Sequence, residues 1–422
     1  MKDFKKAAKL LLKRNGFWLT LTLVFVIIVS FFTANSRIEN YTNNYAYALV
    51  GLEKTAKEES FSNDYNFEKS LKLIKEKYPD KLPKDLFAEY DNYYKKAMKV
   101  YANTADMDLK DQAYYYLNDY KDIRYTDEKV DIYNYMSSYG GIEQGKIILG
   151  KQLAASFFTP LIFSLVLGFL FTSMEHFTPF YEFTRMLPWS KTQNYLFKIG
   201  LGLLLTSLAY VINMGFGILM WKTSYLSNLL TTNGFWSDIL LGLGRNAMFY
   251  IVVIGLGTVA GNIFGHLGMM IIGLGGPKLL VENYVMLRSI VGLDVTNRDF
   301  VFILDDKVRD TVFYPLYLPA EGLDYSKPLM MAGFLFFTII IFVLGLFWAN
   351  TSKAERSGML ILKKSVSNFA FFMAVVTTLS VFGQIIDNFY DIPNFINIPI
   401  CAVMGFIFYR LYKILFNIKI GV

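Results

Sequence analysis

Three places in this 422-residue sequence hold residue types from which chemistry is ordinarily built. The first, Gly140-Gly-Ile-Glu-Gln-Gly145-Lys146, carries the Gly-x4-Gly-Lys spacing of a phosphate-cradling loop. Such a loop needs a strand before it, a helix after it and a Ser or Thr following the Lys to hold magnesium. Here Ile147 follows and an apolar run begins at once, so the spacing is a decoy and ATP must be bound by a partner. The second is Asn262 with His266, at the turn between two apolar runs, where His266 reads as a capping or interfacial residue and not a ligand. The third is Arg245. A charge inside a membrane span is a functional candidate by default, but the long side chain is expected to snorkel to the outer interface. The sequence has two histidines, His176 and His266, and one cysteine, Cys401, inside an apolar run. That excludes a disulfide framework and a cysteine-based zinc site. No catalytic, cofactor-binding or metal-ligating residues are expected, and the chain reads as no enzyme.

The elements that would carry these residues are apolar. Hydrophobic residues make up 54% and charged residues 18%, below the roughly 25% charged of soluble proteins. The deficit is gathered in runs, and about 20 apolar residues cross the roughly 30 Å of hydrocarbon in a bilayer. Residues 1–16 hold six Lys/Arg among Phe4, Ala7, Ala8, Leu11 and Leu12, an amphipathic helix for the cytoplasmic face. Phe17–Ala34 follows as a first span, longer than the core of a cleaved signal peptide. Seven more runs are Gln152–Ser173, Leu196–Trp221, Leu240–Gly261, Leu267–Val281, Leu329–Trp348, Phe369–Ile385 and Ile396–Tyr409. The expected fold is an all-α polytopic membrane protein of about eight transmembrane helices, with residues 151–422 forming the transmembrane domain.

Residues 35–150 differ in kind, with 20 acidic and 17 basic residues and 17 of the 29 tyrosines. Phe67, Leu71, Ile74 and Tyr78, then Phe87, Tyr90, Tyr94, Met98 and Tyr101, then Leu109, Ala113, Tyr116, Leu117 and Tyr120 recur at helical spacing. This predicts a helical extracellular domain between the first two spans, with Pro79 and Pro83 separating its first two helices. Cytoplasmic loops are the Lys/Arg-rich ones. The amino-terminal segment has six such residues, 351–366 has four and the 410–422 tail has three, while 223–236 and 386–395 have none. Loop 282–328 has five against eight acidic residues. Both termini are therefore expected inside the plasma membrane, and the net charge of +7 reads as a topology signal and not as a nucleic-acid surface. The 282–328 loop is an outer gate or capture surface, or a solvated structural loop.

The connection 174–195 lies between two spans yet is too apolar for a solvated loop. Phe180, Tyr181, Glu182, Phe183, Arg185 and Met186 would form a short helix ended at Leu187-Pro188-Trp189, because proline disfavours helix in the residue before it. Ser190 can cap the next helix. Such a helix either rests on lipid headgroups or docks into a soluble partner, Glu182 and Arg185 supplying charge at the rim.

The stretch Glu182-Phe-Thr-Arg-Met-Leu187-Pro188-Trp-Ser190-Lys191, with Lys198 and a Gly-rich span after it, resembles the pattern of ABC-2 type permeases of ATP-binding-cassette (ABC) transporters. Phe180-Tyr181, Ala354-Glu355-Arg356-Ser357-Gly358 and the basic Phe/Leu tail resemble a Gram-positive subgroup with a large outer domain after the first span and two extra carboxy-terminal spans. The likeness covers roughly 150–420, and it departs from the pattern at Lys191, where Arg is commoner, and at Pro179. The resemblance implies that 174–195 is the coupling helix against separate ABC ATPase subunits, that ATP is bound only there, and that a second, identical or related permease completes an exporter of peptide, drug or lipid-like cargo. Gly257, Gly261 and Gly265 form a small-xxx-small stripe that lets helices approach closely, either in a hairpin of this chain or in a contact between permeases. The competing function is a polytopic receptor whose extracellular domain binds a ligand, a role for which one or two spans would suffice.

Overall fold

The computed structural model describes residues 2–56, 67–84, 86, 92, 147–155, 158–177, 190–291, 307–309, 311–323, 328–351, 358–390 and 394–419. The phosphate-loop decoy at 140–146 and the expected outer helices built on Tyr90–Tyr101 and Leu109–Tyr120 lie outside them. Twelve helices are described: α1 Lys2–Ala56, α2 Phe67–Lys77, α3 Leu149–Ala155, α4 Phe158–Phe171, α5 Ser173–Phe177, α6 Lys191–Thr223, α7 Phe235–Gly257, α8 Ile263–Ile290, α9 Tyr314–Tyr317, α10 Pro328–Thr351, α11 Lys364–Tyr390 and α12 Asn394–Asn417. They are joined by short 3-10 turns at Ser227–Leu229 and Pro319–Leu323. The described chain departs from all-α only in a parallel pair of two-residue strands, β1 Ile147–Ile148 and β2 Leu230–Thr231, and one isolated bridge between Ala260 and Ile361.

Seven of these helices are long and apolar enough to cross a membrane: α1, α6, α7, α8, α10, α11 and α12. The remaining expected span, Gln152–Ser173, falls on α3 and α4, with residues 156–157 between them outside the described residues. Its apolar part includes α4, a helix of 14 residues, or about 21 Å at 1.5 Å per residue. It stops at a turn on Thr172, whose hydroxyl bonds back to the Gly168 carbonyl at 2.7 Å. Other bounds move outward. The fifth run continues as helix to Ile290, well into the expected 282–328 loop. The amino-terminal helix and first span form one unbroken α1 of 55 residues, which passes Ala34 because nothing from Asn35 to Val50 is a Gly or Pro that would stop it.

The chain divides into two compact units, one of Met1–Val26, Phe157–Val211 and Leu240–Val422, the other of Ile27–Ser156 and Ile212–Ile239. In the second, α1 carries buried Tyr45, Ala46, Leu49 and Val50 on its last turns. Gln152 donates to the Tyr41 hydroxyl at 2.8 Å, and Tyr41 packs edge-on against buried Trp221. Deeper in, the Ser30 hydroxyl donates to the Asn213 amide oxygen. The segment after α2 is held by three bonds: Tyr225 hydroxyl to the Tyr78 carbonyl at 2.6 Å, Asn228 to the Leu82 carbonyl at 2.9 Å, and the Leu82 amide to the Tyr225 carbonyl at 3.3 Å. Burial pushes the Tyr225 hydroxyl above its ordinary pKa, so that donor keeps its proton.

In the first unit, Leu161, Met248, Phe249, Val252, Val253, Leu256, Phe334 and Ile341 make one core, and Val26, Phe163, Leu167, Phe171, Tyr195, Ile199 and Tyr250 a second. Outward faces of the long helices stay apolar, as with Phe17, Leu21, Val24, Phe25, Ile28 and Phe32 on α1 and Leu204, Leu208, Val211 and Leu219 on α6. Contiguous exposed apolar surface of this extent suits lipid and not water. Three tyrosines sit in glycine notches. A methyl group on Gly202, Gly242 or Gly345 would overlap the hydroxyl of Tyr250, Tyr210 or Tyr195 respectively. α8 kinks at Gly276 (φ 55°) just before Pro277, a backbone that glycine adopts without cost and proline cannot hydrogen-bond through.

Asn262 caps α8, its side-chain oxygen accepting the Gly265 amide at 2.9 Å and its side-chain nitrogen donating to the Gly358 carbonyl at 3.2 Å. Asn262→Ala should cost about 1 kcal/mol or somewhat more, read as a lower thermal midpoint of the detergent-purified protein.

Candidate functional site

The polar groups of the first unit converge on α5, the short helix Ser173–Phe177 that opens the 174–195 connection. Glu175 is 2% exposed and receives two cations. Lys198 Nζ on α6 lies 2.5 Å from one carboxylate oxygen, and Arg14 Nη2 on α1 lies 3.3 Å from the other. Arg14 also donates to the Leu170 carbonyl at 3.4 Å and to the Asn15 side chain at 3.3 Å. Sharing one carboxylate in apolar surroundings makes each ion pair depend on the other, because a buried charge is tolerated only when paired.

One turn earlier, His266 of α8 closes the same element from another side. Its Nε2 lies 2.8 Å from the Val253 carbonyl of α7, and its Nδ1 lies 2.7 Å from the Ser173 hydroxyl and 3.3 Å from that of Thr172. A carbonyl only accepts, so Nε2 carries the proton and Nδ1 accepts. The Thr172 proton goes to Gly168, which leaves Ser173 as the donor. Tyr250 of α7 completes the set, its hydroxyl donating at 2.9 Å to the Lys198 carbonyl. Helices α1, α6, α7 and α8 thus each hold Thr172–Glu175 or a group that does. With both His266 nitrogens committed and no group of three or more His, Cys, Asp or Glu placed to hold a metal among the described residues, this cluster positions an element.

Of the residues singled out in the sequence, Phe180, Tyr181, Glu182, Phe183, Arg185, Met186, Leu187, Pro188 and Trp189 lie outside the described residues. Ser190 opens α6 with a reciprocal cap: its hydroxyl accepts the Gln193 amide at 3.1 Å while Gln193 accepts the Ser190 amide at 3.0 Å. Gly257, Gly261 and Gly265 face this same chain. A methyl group on Gly257 would overlap Thr172 and His266, one on Gly261 the Met359 carbonyl, and one on Gly265 the Leu360 carbonyl. There the turns 258–262 and 358–362 are zipped by Gly261 amide to Leu360 carbonyl at 3.1 Å and Leu362 amide to Val259 carbonyl at 2.7 Å.

Two expectations are corrected. His266 is fully buried and not interfacial, because Ser173 and Val253 satisfy both ring nitrogens. Arg245 does not snorkel. It is 1% exposed and turns into the bundle, donating to the Leu323 carbonyl at 3.4 Å. Sequence reasoning missed Glu175 and Arg14. The available signal was an acidic residue closing one apolar run with basic residues at the matching ends of two others.

The chain is a multi-pass α-helical membrane protein by its seven long apolar helices. Searches against family models, curated proteins and solved structures return no match.

Proposed function

We propose that the chain is the membrane-spanning permease subunit of an ABC exporter of the ABC-2 type, driven by separate ATPase subunits that bind the ATP. The observation that carries the reading is the place of Glu182–Lys191. This apolar, ABC-2-like stretch joins two helical elements whose nearest described charges, Glu175 before it and Lys198 after it, form a buried ion pair 2.5 Å long. A segment meant to receive motion needs such a base, since a push on it is otherwise absorbed locally. ATP-driven closure of the ATPases would move the segment, and α5 and α6 would follow together.

In this reading both termini and 178–189 face the cytoplasm across the plasma membrane, and the tyrosine-rich region stands outside. A second permease completes the pathway, and the cargo is a peptide, drug or lipid-like molecule, in keeping with the scarcity of charge in the spans. The test is vanadate-sensitive ATP hydrolysis in the complex extracted from native membranes. Leu187→Asp with Glu182→Lys should lower the co-purifying activity at least tenfold while the permease still accumulates. Activity that stays with the double variant, or an absence of ATPase from the parent complex, would sink the proposal.

A further inference from the structure

Arg245 sits near the middle of α7, a helix of 23 residues, so its fully buried guanidinium lies at membrane depth. An arginine there is tolerated when oxygen acceptors reach it. One acceptor is the carbonyl of Leu323, the last residue of the 3-10 turn Pro319–Leu323. The last carbonyls of a helical turn have no donor within it and carry partial negative charge, so the guanidinium caps the turn as well as pairing with it. The apolar side of the same segment is seated too. Leu323 packs against the core that includes Met248, Phe249 and Phe334, and Tyr314 and Tyr317 cover Met330 at the start of α10. At Gly276 the kink in α8 brings Pro319 and the Tyr317 carbonyl to where any side chain would stand, at 2.7 and 2.8 Å. Non-helical backbone at membrane depth persists only when protein or a water-filled cavity surrounds it. Here the walls are α7, α8 and α10.

We propose that Arg245 is the positioning residue that pins the 311–323 segment into the helix bundle, making the segment a releasable cover over Met330 and the core beneath it. The walls are long helices, α8 among them kinked at Gly276, whereas the cover is short turns of backbone held by a polar pin and by side-chain packing. It is the part of this region that can lift without unwinding a span. The proposal is independent of the transport reading.

The test is maleimide labelling of Met330→Cys in the full-length protein in native membranes, with Cys401→Ser removing the native thiol. Met330→Cys should react at least tenfold more slowly than Phe313→Cys, an exposed reference on the same segment. Arg245→Leu should raise the Met330→Cys rate at least tenfold and leave Met373→Cys, buried in α11, protected; Arg245→Lys, which keeps a donor, should hold the rise below threefold. An unchanged rate, a Met330→Cys that labels freely in the parent, or simultaneous exposure of Met373→Cys would overturn the proposal. Should the leucine variant not accumulate, Arg245→Gln takes its place with the same expected rise and the same overturning results.

Discussion

Glu175→Ala is expected to destabilise the protein by about 3–5 kcal/mol, the range for removing one partner of a buried ion pair. The loss comes less from the missing attraction than from what stays behind: Lys198 and Arg14, which met at one carboxylate, are left without it, Lys198 in a buried position. The measurement is the thermal midpoint by size-exclusion chromatography of the detergent-purified protein. Apolar replacement of the whole cluster, Arg14→Met with Glu175→Leu and Lys198→Met, should recover much of the loss, because no orphaned charge then remains. If Glu175→Ala melts with the parent, the ion pairs contribute nothing. If the triple variant is no better than Glu175→Ala, the damage lies in packing.

The second large effect is expected at Gly265. Its α-carbon faces the Leu360 carbonyl so closely that an alanine methyl would overlap it. That carbonyl is held by the Gly261 amide at 3.1 Å and has no flexible side chain to swing away. Gly265→Ala should therefore cost about 3 kcal/mol, the upper part of the overpacking range, and part the turns 258–262 and 358–362. Gly268→Ala on the same helix meets nothing within 4 Å and should be neutral or stabilise by up to about 1 kcal/mol, the helix-propensity gain of alanine over glycine. Opposite signs three residues apart, read in the same melting assay, would separate steric crowding from a general intolerance of side chains on this helix.

Much of the fold could be read from the residues because lipid imposes a one-dimensional rule. Length and absence of charge mark a span whatever it packs against: α6, α8, α10, α11 and α12 contain the runs expected of them, and α7 covers its run up to Gly257, where the turn 258–262 begins. The site was less legible. Glu175 finds Arg14 from 161 positions away and Lys198 from 23, so no local spacing reveals the cluster. Arg245 misled for a related reason: an arginine some turns from a span end can reach the interface or an internal carbonyl equally well, and only the return of 319–323 decides. Ser190 was readable because caps are local, its hydroxyl accepting an amide three residues on.

The three tyrosine-glycine notches constrain the order in which their residues can be exchanged. At Gly202 with Tyr250, Gly242 with Tyr210 and Gly345 with Tyr195, the bare α-carbon and the phenol occupy one volume between them. A side chain at the glycine would force the ring to move while the tyrosine remains, so a smaller residue at the tyrosine opens the space first. Each pair is thus expected to accept a side chain at the glycine only where the tyrosine is first made smaller.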